Sequence, residues 1–199
     1  MRGWTVPTVI AAALVLAACG AAQPRELAGY RRDPAPVVSG ISLPDLEADG
    51  AEFVIRAEPG HILAVYFGYT NCPDFCPTTL SDLRLATRRM DPADADRVDL
   101  AMITVDPDRD LPILAGYVGS FFDDGHALGT TDPDVLATAA APFGVGYEVT
   151  TAEDGTIEVA HTTSLYAVDD AGELVLTWQF GVSIDDLAAD LTALLQEEG

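Results

Sequence analysis

The hydrophobic positions of this chain fall into two rhythms that divide it into strands and helices. His61 to Gly68 (HILAVYFG) is a continuous apolar run with β-branched and aromatic residues, the pattern of a strand buried on both faces. Arg97 to Val105 (RVDLAMITV) reads as a second such strand. Between them, Pro77 to about Met90 has helical spacing, with Leu80, Leu83 and the Ala86–Thr87 turn facing inward and Arg84, Arg88 and Arg89 outward. A helix is expected over Leu111–Phe121 after Asp106-Pro107, and another between Pro133 and Pro142. Gly146–Thr151 and Thr156–Ala160 flank Asp154-Gly155 as a hairpin, and Thr163–Val168 and Glu173–Phe180 pair around Asp170-Ala171-Gly172. Ser183 caps a last helix through Leu195, with Ile184, Leu187, Leu191 and Leu194 on one face. This order predicts an α/β fold with a mixed sheet flanked by helices and one added β-hairpin. No internal repeat, low-complexity block or second domain boundary interrupts it.

The first 38 residues follow neither rhythm. Arg2 precedes a mostly apolar run, Val9 to Ala18, too short for a span of roughly 20 residues. The run ends in Leu16-Ala17-Ala18-Cys19-Gly20, which resembles the lipobox of bacterial lipoproteins. That resemblance implies a signal peptide over residues 1–18 and a lipid on Cys19; the plainer alternative is an ordinary secretory signal with an incidental cysteine. Either way the domain is expected outside the cytoplasm, and lipidation would anchor it to the cell membrane. Residues 19–38, with Pro24, Pro34 and Pro36, read as a flexible tether, leaving 39–199 as the folded domain.

Composition narrows the class of partner more than the function. The chain has 32 acidic residues against 10 basic ones, every base is Arg, and the net charge is −22. Such a surface repels nucleic acid and anionic headgroups, so no nucleic-acid partner is expected.

The chemistry concentrates in Gly68-Tyr69-Thr70-Asn71-Cys72-Pro73-Asp74-Phe75-Cys76-Pro77, between a buried strand and a helix. A helix N-terminus carries partial positive charge and free N–H donors, which stabilise a thiolate there. Pro77 suits the first helical turn, where its missing N–H is no loss. With Cys19 lipidated, Cys72 and Cys76 are the two remaining thiols, and an exported pair four positions apart forms a disulfide or binds a soft metal. A purely structural disulfide would close a very small loop and constrain the unfolded chain little.

The stretch FGYTNCPDFCP resembles the Sco/SenC copper chaperones, as do Val105-Asp106-Pro107-Asp108-Arg109-Asp110 and His161 within VAHTTSLYAVDDAG. The resemblance runs from about Gly40 to the C-terminus and implies a thioredoxin-like fold. It implies Cys72, Cys76 and His161 as ligands of one copper ion, Cu(I) or Cu(II), with Cys72 and Cys76 also able to join as a disulfide. Two thiolates and an imidazole suit Cu(I), whereas structural zinc normally takes four protein ligands. Asp106, and less directly Asp74, are expected to support the ligands. His61 and His126 read as structural, and Tyr66, Phe67 and Tyr69 as core and site wall.

The implied function is delivery of copper to the dinuclear centre of cytochrome c oxidase subunit II, with other copper chaperones or thiol reductases as further partners. The alternative is an enzyme, a thiol–disulfide oxidoreductase acting on the partner's copper-binding cysteines. In it Cys72 attacks and Cys76 resolves. The three-residue spacer Pro73-Asp74-Phe75, and Thr162-Thr163 where such reductases resemble one another in a proline, favour metal binding.

Overall fold

A computed structural model describes residues 25–197; the leader and Cys19 lie outside the described residues. The chain begins with β1 (Ser42–Asp45), a 3-10 turn (Leu46–Ala48), β2 (Ala51–Val54), β3 (Ile62–Gly68), α1 (Phe75–Thr87), α2 (Pro92–Ala95) and β4 (Val98–Thr104). It continues through α3 (Pro107–Asp110), α4 (Leu114–Gly119), β5 (His126–Leu128), α5 (Pro133–Ala140), β6 (Tyr147–Thr151) and β7 (Ile157–His161). It closes with β8 (Leu165–Val168), β9 (Leu174–Trp178) and α6 (Ile184–Glu197).

Seven strands form one mixed sheet in the order β2-β1-β5-β4-β3-β8-β9, and β6–β7 pair as a separate hairpin. β3 runs parallel to β4 and antiparallel to β8. Its alternation sorts the core into two layers. Ile62, Ala64 and Tyr66 face α1 and α6, with Leu80, Leu83, Leu187, Leu191 and Leu194. Leu63, Val65 and Phe67 face α5, with Leu136, Ala139 and Phe143. The fold is thioredoxin-like: a central mixed sheet with helices on both faces, as expected.

The structure corrects several expectations. The helix expected over Leu111–Phe121 is broken: α3 ends at Asp110 and α4 starts at Leu114, with Pro112 between them supplying no N–H to the helical ladder and Ile113 leaving helical backbone. Strands β1, β2 and β5 had no sequence signal strong enough to place them. Arg84 is half-buried rather than free, with its guanidinium 3.4 Å from the Ser120 carbonyl.

The largest correction concerns the tether. Residues 25–38 do not hang free but strap across β9 and α6. Tyr30 bridges to Thr177 and Val37 to Glu173, and Val38 is fully buried. Arg25 pairs with Asp190 at 2.6 Å and Asp186 at 2.7 Å, and Arg31 pairs with Glu197 at 2.7 Å. The physical reason is the acidic, half-covered edge of the fold, which takes the arginines of a segment that has no periodic core pattern of its own.

Candidate metal centre

β3 ends at Gly68, and the chain turns through Tyr69–Asp74 into α1, which begins at Phe75. Cys76 is therefore the second residue of the helix and Cys72 lies just outside it. Asp74 stands at the cap position, but its side chain makes no capping bond. The Cys72 sulfur takes that role instead, accepting from the Cys76 N–H at 3.4 Å. The third residue comes from far along the chain. His161 ends β7, and its Nε2 lies 3.6 Å from the Cys76 sulfur.

Each of Cys72, Cys76 and His161 offers one donor atom, and those atoms all lie within 4.8 Å of one another. The imidazole is oriented by its other nitrogen. Nδ1 stands 2.8 Å from the Thr162 carbonyl, an acceptor only, so Nδ1 carries the proton and Nε2 presents its lone pair to the thiols. The ring is set edge-on between Tyr66 and Tyr69, with centroid distances of 6.2 and 5.6 Å. Of the three aromatics expected as core and site wall, Phe67 is core, facing the opposite layer against Phe143 and Tyr166.

The two thiols are free and electrostatically unlike. Burial pushes the Cys72 thiol up, but the Cys76 and Asp74 backbone N–H groups and the Cys76 and Tyr69 side chains outweigh it, and the net shift is downward. Cys76, fully buried, is pushed up to about 12, chiefly by burial. Burial also drives the Tyr66 phenol upward and lowers His161, whose hydrogen bonds oppose the shift. The imidazole is thus held neutral, the state a metal requires of it.

Gly68 fits the floor of the site because a Cβ there would lie 2.7 Å from the Tyr66 ring and 3.1 Å from the Cys76 sulfur. Of the two expected supporting acids, neither carboxylate reaches the thiols. Asp106 is buried but paired with Arg109. Asp74 is exposed and contributes through its backbone N–H alone. The acid that shapes the loop is Asp110, fully buried in α3, which accepts from Thr70 N at 3.0 Å, Thr70 Oγ1 at 2.5 Å and Thr104 Oγ1 at 2.6 Å. His61 and His126 donate Nδ1 to Asp99 and Asp45 and join no such group among the described residues.

Two thiols and one imidazole make a soft, three-point donor set suited to a soft cation. A family model described as SCO1/SenC matches residues 46–196. The chain belongs to the SCO1/SenC family. This SCO1/SenC protein is 30% identical over 138 residues to a protein of Stutzerimonas stutzeri described as a putative copper-binding protein, covering 69% of this chain and 67% of that one. It is similar to the solution structure of apo Sco1 from Thermus thermophilus, with TM-score 0.72 and 29% identity over 87% of this chain and 99% of that one. It is also similar to Bradyrhizobium japonicum ScoI with copper bound, with TM-score 0.64 and 29% identity over 77% of this chain and 96% of that one.

Proposed function

We propose that this SCO1/SenC protein binds one copper ion through Cys72, Cys76 and His161 and delivers it, as cargo, to the dinuclear copper centre of cytochrome c oxidase subunit II. The observation that carries this reading is the meeting of the three donor atoms within 4.8 Å, from segments 85 residues apart in sequence. The copper-bound Bradyrhizobium relative and the copper-binding description of the Stutzerimonas relative support the choice of metal. Delivery requires exchangeable ligands. A three-coordinate site with an exposed loop at Asn71, Pro73, Asp74 and Phe75 leaves room for an incoming thiolate. The protein acts outside the cytoplasm, tethered by a lipid on Cys19; the lipobox-like Leu16–Cys19 supports that placement. Its other partners are the copper chaperones or thiol reductases that load it and keep it reduced.

A second reading, a thiol–disulfide oxidoreductase, is favoured by the unequal thiols, which suit an attacking Cys72 and a resolving Cys76. Anaerobic Cu(I) titration of the reduced protein and of His161→Ala, with insulin reduction assayed in parallel, separates the two. Copper delivery predicts that the variant loses more affinity than the roughly 10–100-fold that changes outside the ligand shell produce, with negligible reductase turnover. Equal affinity in both proteins together with robust reduction would reverse the order.

A further inference from the structure

Among the described residues, the hydroxyls of Tyr66 and Tyr117 are buried without a hydrogen-bond partner. Buried orphans of this kind are few in native proteins and call for a reason. Tyr66 is fully buried on β3, with its hydroxyl beside the Cys76 sulfur and the Thr79 hydroxyl, yet no hydrogen bond of ordinary geometry closes. Tyr117 senses both cysteines only at a distance and has no hydrogen bond to either.

The metal-free site explains why Tyr66 is idle. His161 donates Nδ1–H to Thr162, so its Nε2 is left as an acceptor 3.6 Å from the Cys76 sulfur. A neutral thiol sulfur is only a weak acceptor and holds the Tyr66 O–H poorly. Bound copper would be held by Nε2 and by the Cys76 sulfur, and ligation requires that sulfur as a thiolate, an acceptor only, its proton gone to solvent. The side-chain donor beside that sulfur is the Tyr66 O–H, whose ring meets it across Gly68. The missing Cβ at Gly68 is what lets the phenol edge and the sulfur pack against one another.

We propose that Tyr66 is a positioning residue that donates a hydrogen bond to the Cys76 thiolate in the metal-bound state and is left unpaired without metal. The proposal rests on the copper reading above. Its signature is a split between two measurements on Tyr66→Phe. The urea unfolding midpoint of the metal-free reduced protein is expected to stay the same or rise, since an orphan hydroxyl is removed. Cu(I) affinity, measured by competition with a chromogenic chelator, is expected to fall about tenfold, the lower end of what a lost outer partner of a ligand produces. Tyr117→Phe is expected to keep its affinity.

Unchanged affinity in Tyr66→Phe would overturn the proposal, as would affinity lost in step with metal-free stability or a variant that fails to fold. If the wild-type protein binds no copper, the functional reading fails and the proposal falls with it, whereas unchanged affinity in Tyr66→Phe beside a copper-binding wild type overturns the proposal alone.

Discussion

Cys72 and Cys76 lie four positions apart on one turn, yet their surroundings pull them in opposite directions. Cys72 gathers backbone N–H groups at the mouth of α1, while Cys76 is sealed beneath it with no exposed surface. The reactive species is the thiolate, so a lowered thiol is more reactive at a given pH and a raised one less so. At pH 7.5 a thiol near 12 is ionised to a fraction on the order of 10⁻⁵ to 10⁻⁴. Metal-free reduced protein treated with iodoacetamide is therefore expected to label at Cys72 at least about 100-fold faster than Cys76 labels in Cys72→Ser, by mass spectrometry. Comparable rates at the two positions would contradict the asymmetry. The thiols and His161 could be singled out by eye because the chain has only three cysteines and three histidines. Asp110 could not. It is one of 32 acidic residues, and only the folded chain shows that it alone bonds Thr70, two positions before Cys72. Asp106 reads as the better candidate because its segment resembles one the family places beside the site, but Arg109, one turn on, captures it.

At the scale of elements, His161 reaches the thiols on a support that is itself slight. β6 and β7 form a two-stranded sheet whose residues are mostly exposed, and an isolated hairpin is marginal in water. Its base is fastened by Thr162 N to the Gly146 carbonyl at 2.9 Å and Gly146 N to Thr162 Oγ1 at 3.1 Å, and Tyr147 and Val159 rest on the core. Amides of β6 and β7 are therefore expected to exchange with deuterium at least about 100-fold faster than those of β3 and β4 in metal-free protein. Cu(I) should slow them roughly tenfold, because the ligand bond ties the hairpin to α1. Hairpin exchange indifferent to copper would mean that His161 is not carrying the tie. The hairpin was legible from Asp154-Gly155, and β3, β4, α1 and α6 from long apolar patterns. β1 and β5 were not, since each is four residues or fewer and β1 turns the carboxylate of Asp45 inward to meet His126 and Ala127. A polar residue in a core position erases the alternation on which a strand reading depends.

At the scale of the whole molecule, the folded unit includes a segment that the sequence presents as linker. Prolines and the absence of periodicity in residues 25–38 concealed contacts made by isolated bridges, ion pairs and single apolar residues such as Leu27 and Val38. Their focus is Asp190, fully buried on α6, which accepts from Trp178 Nε1, Ala28 N and Gly29 N at 2.9 Å each and from Arg25 at 2.6 Å. Removing the strap would leave that carboxylate with Trp178 alone and uncover Leu176 and Trp178, against which Gly29 packs. Stripping partners from a buried charge costs about 3–5 kcal/mol, and in a domain of this size each kcal/mol lowers the melting temperature by about 2–4 °C. A chain starting at Ser39 is therefore expected to melt about 10 °C or more below one starting at Gly20, by circular dichroism. Asp190→Ala in the longer chain should reproduce much of the loss, because the same carboxylate gathers the strap. Equal melting temperatures for the two lengths would return residues 25–38 to the role of tether. A drop would instead make residues 25–38 part of the folded domain, held on β9 and α6 by the bonds that gather at Asp190.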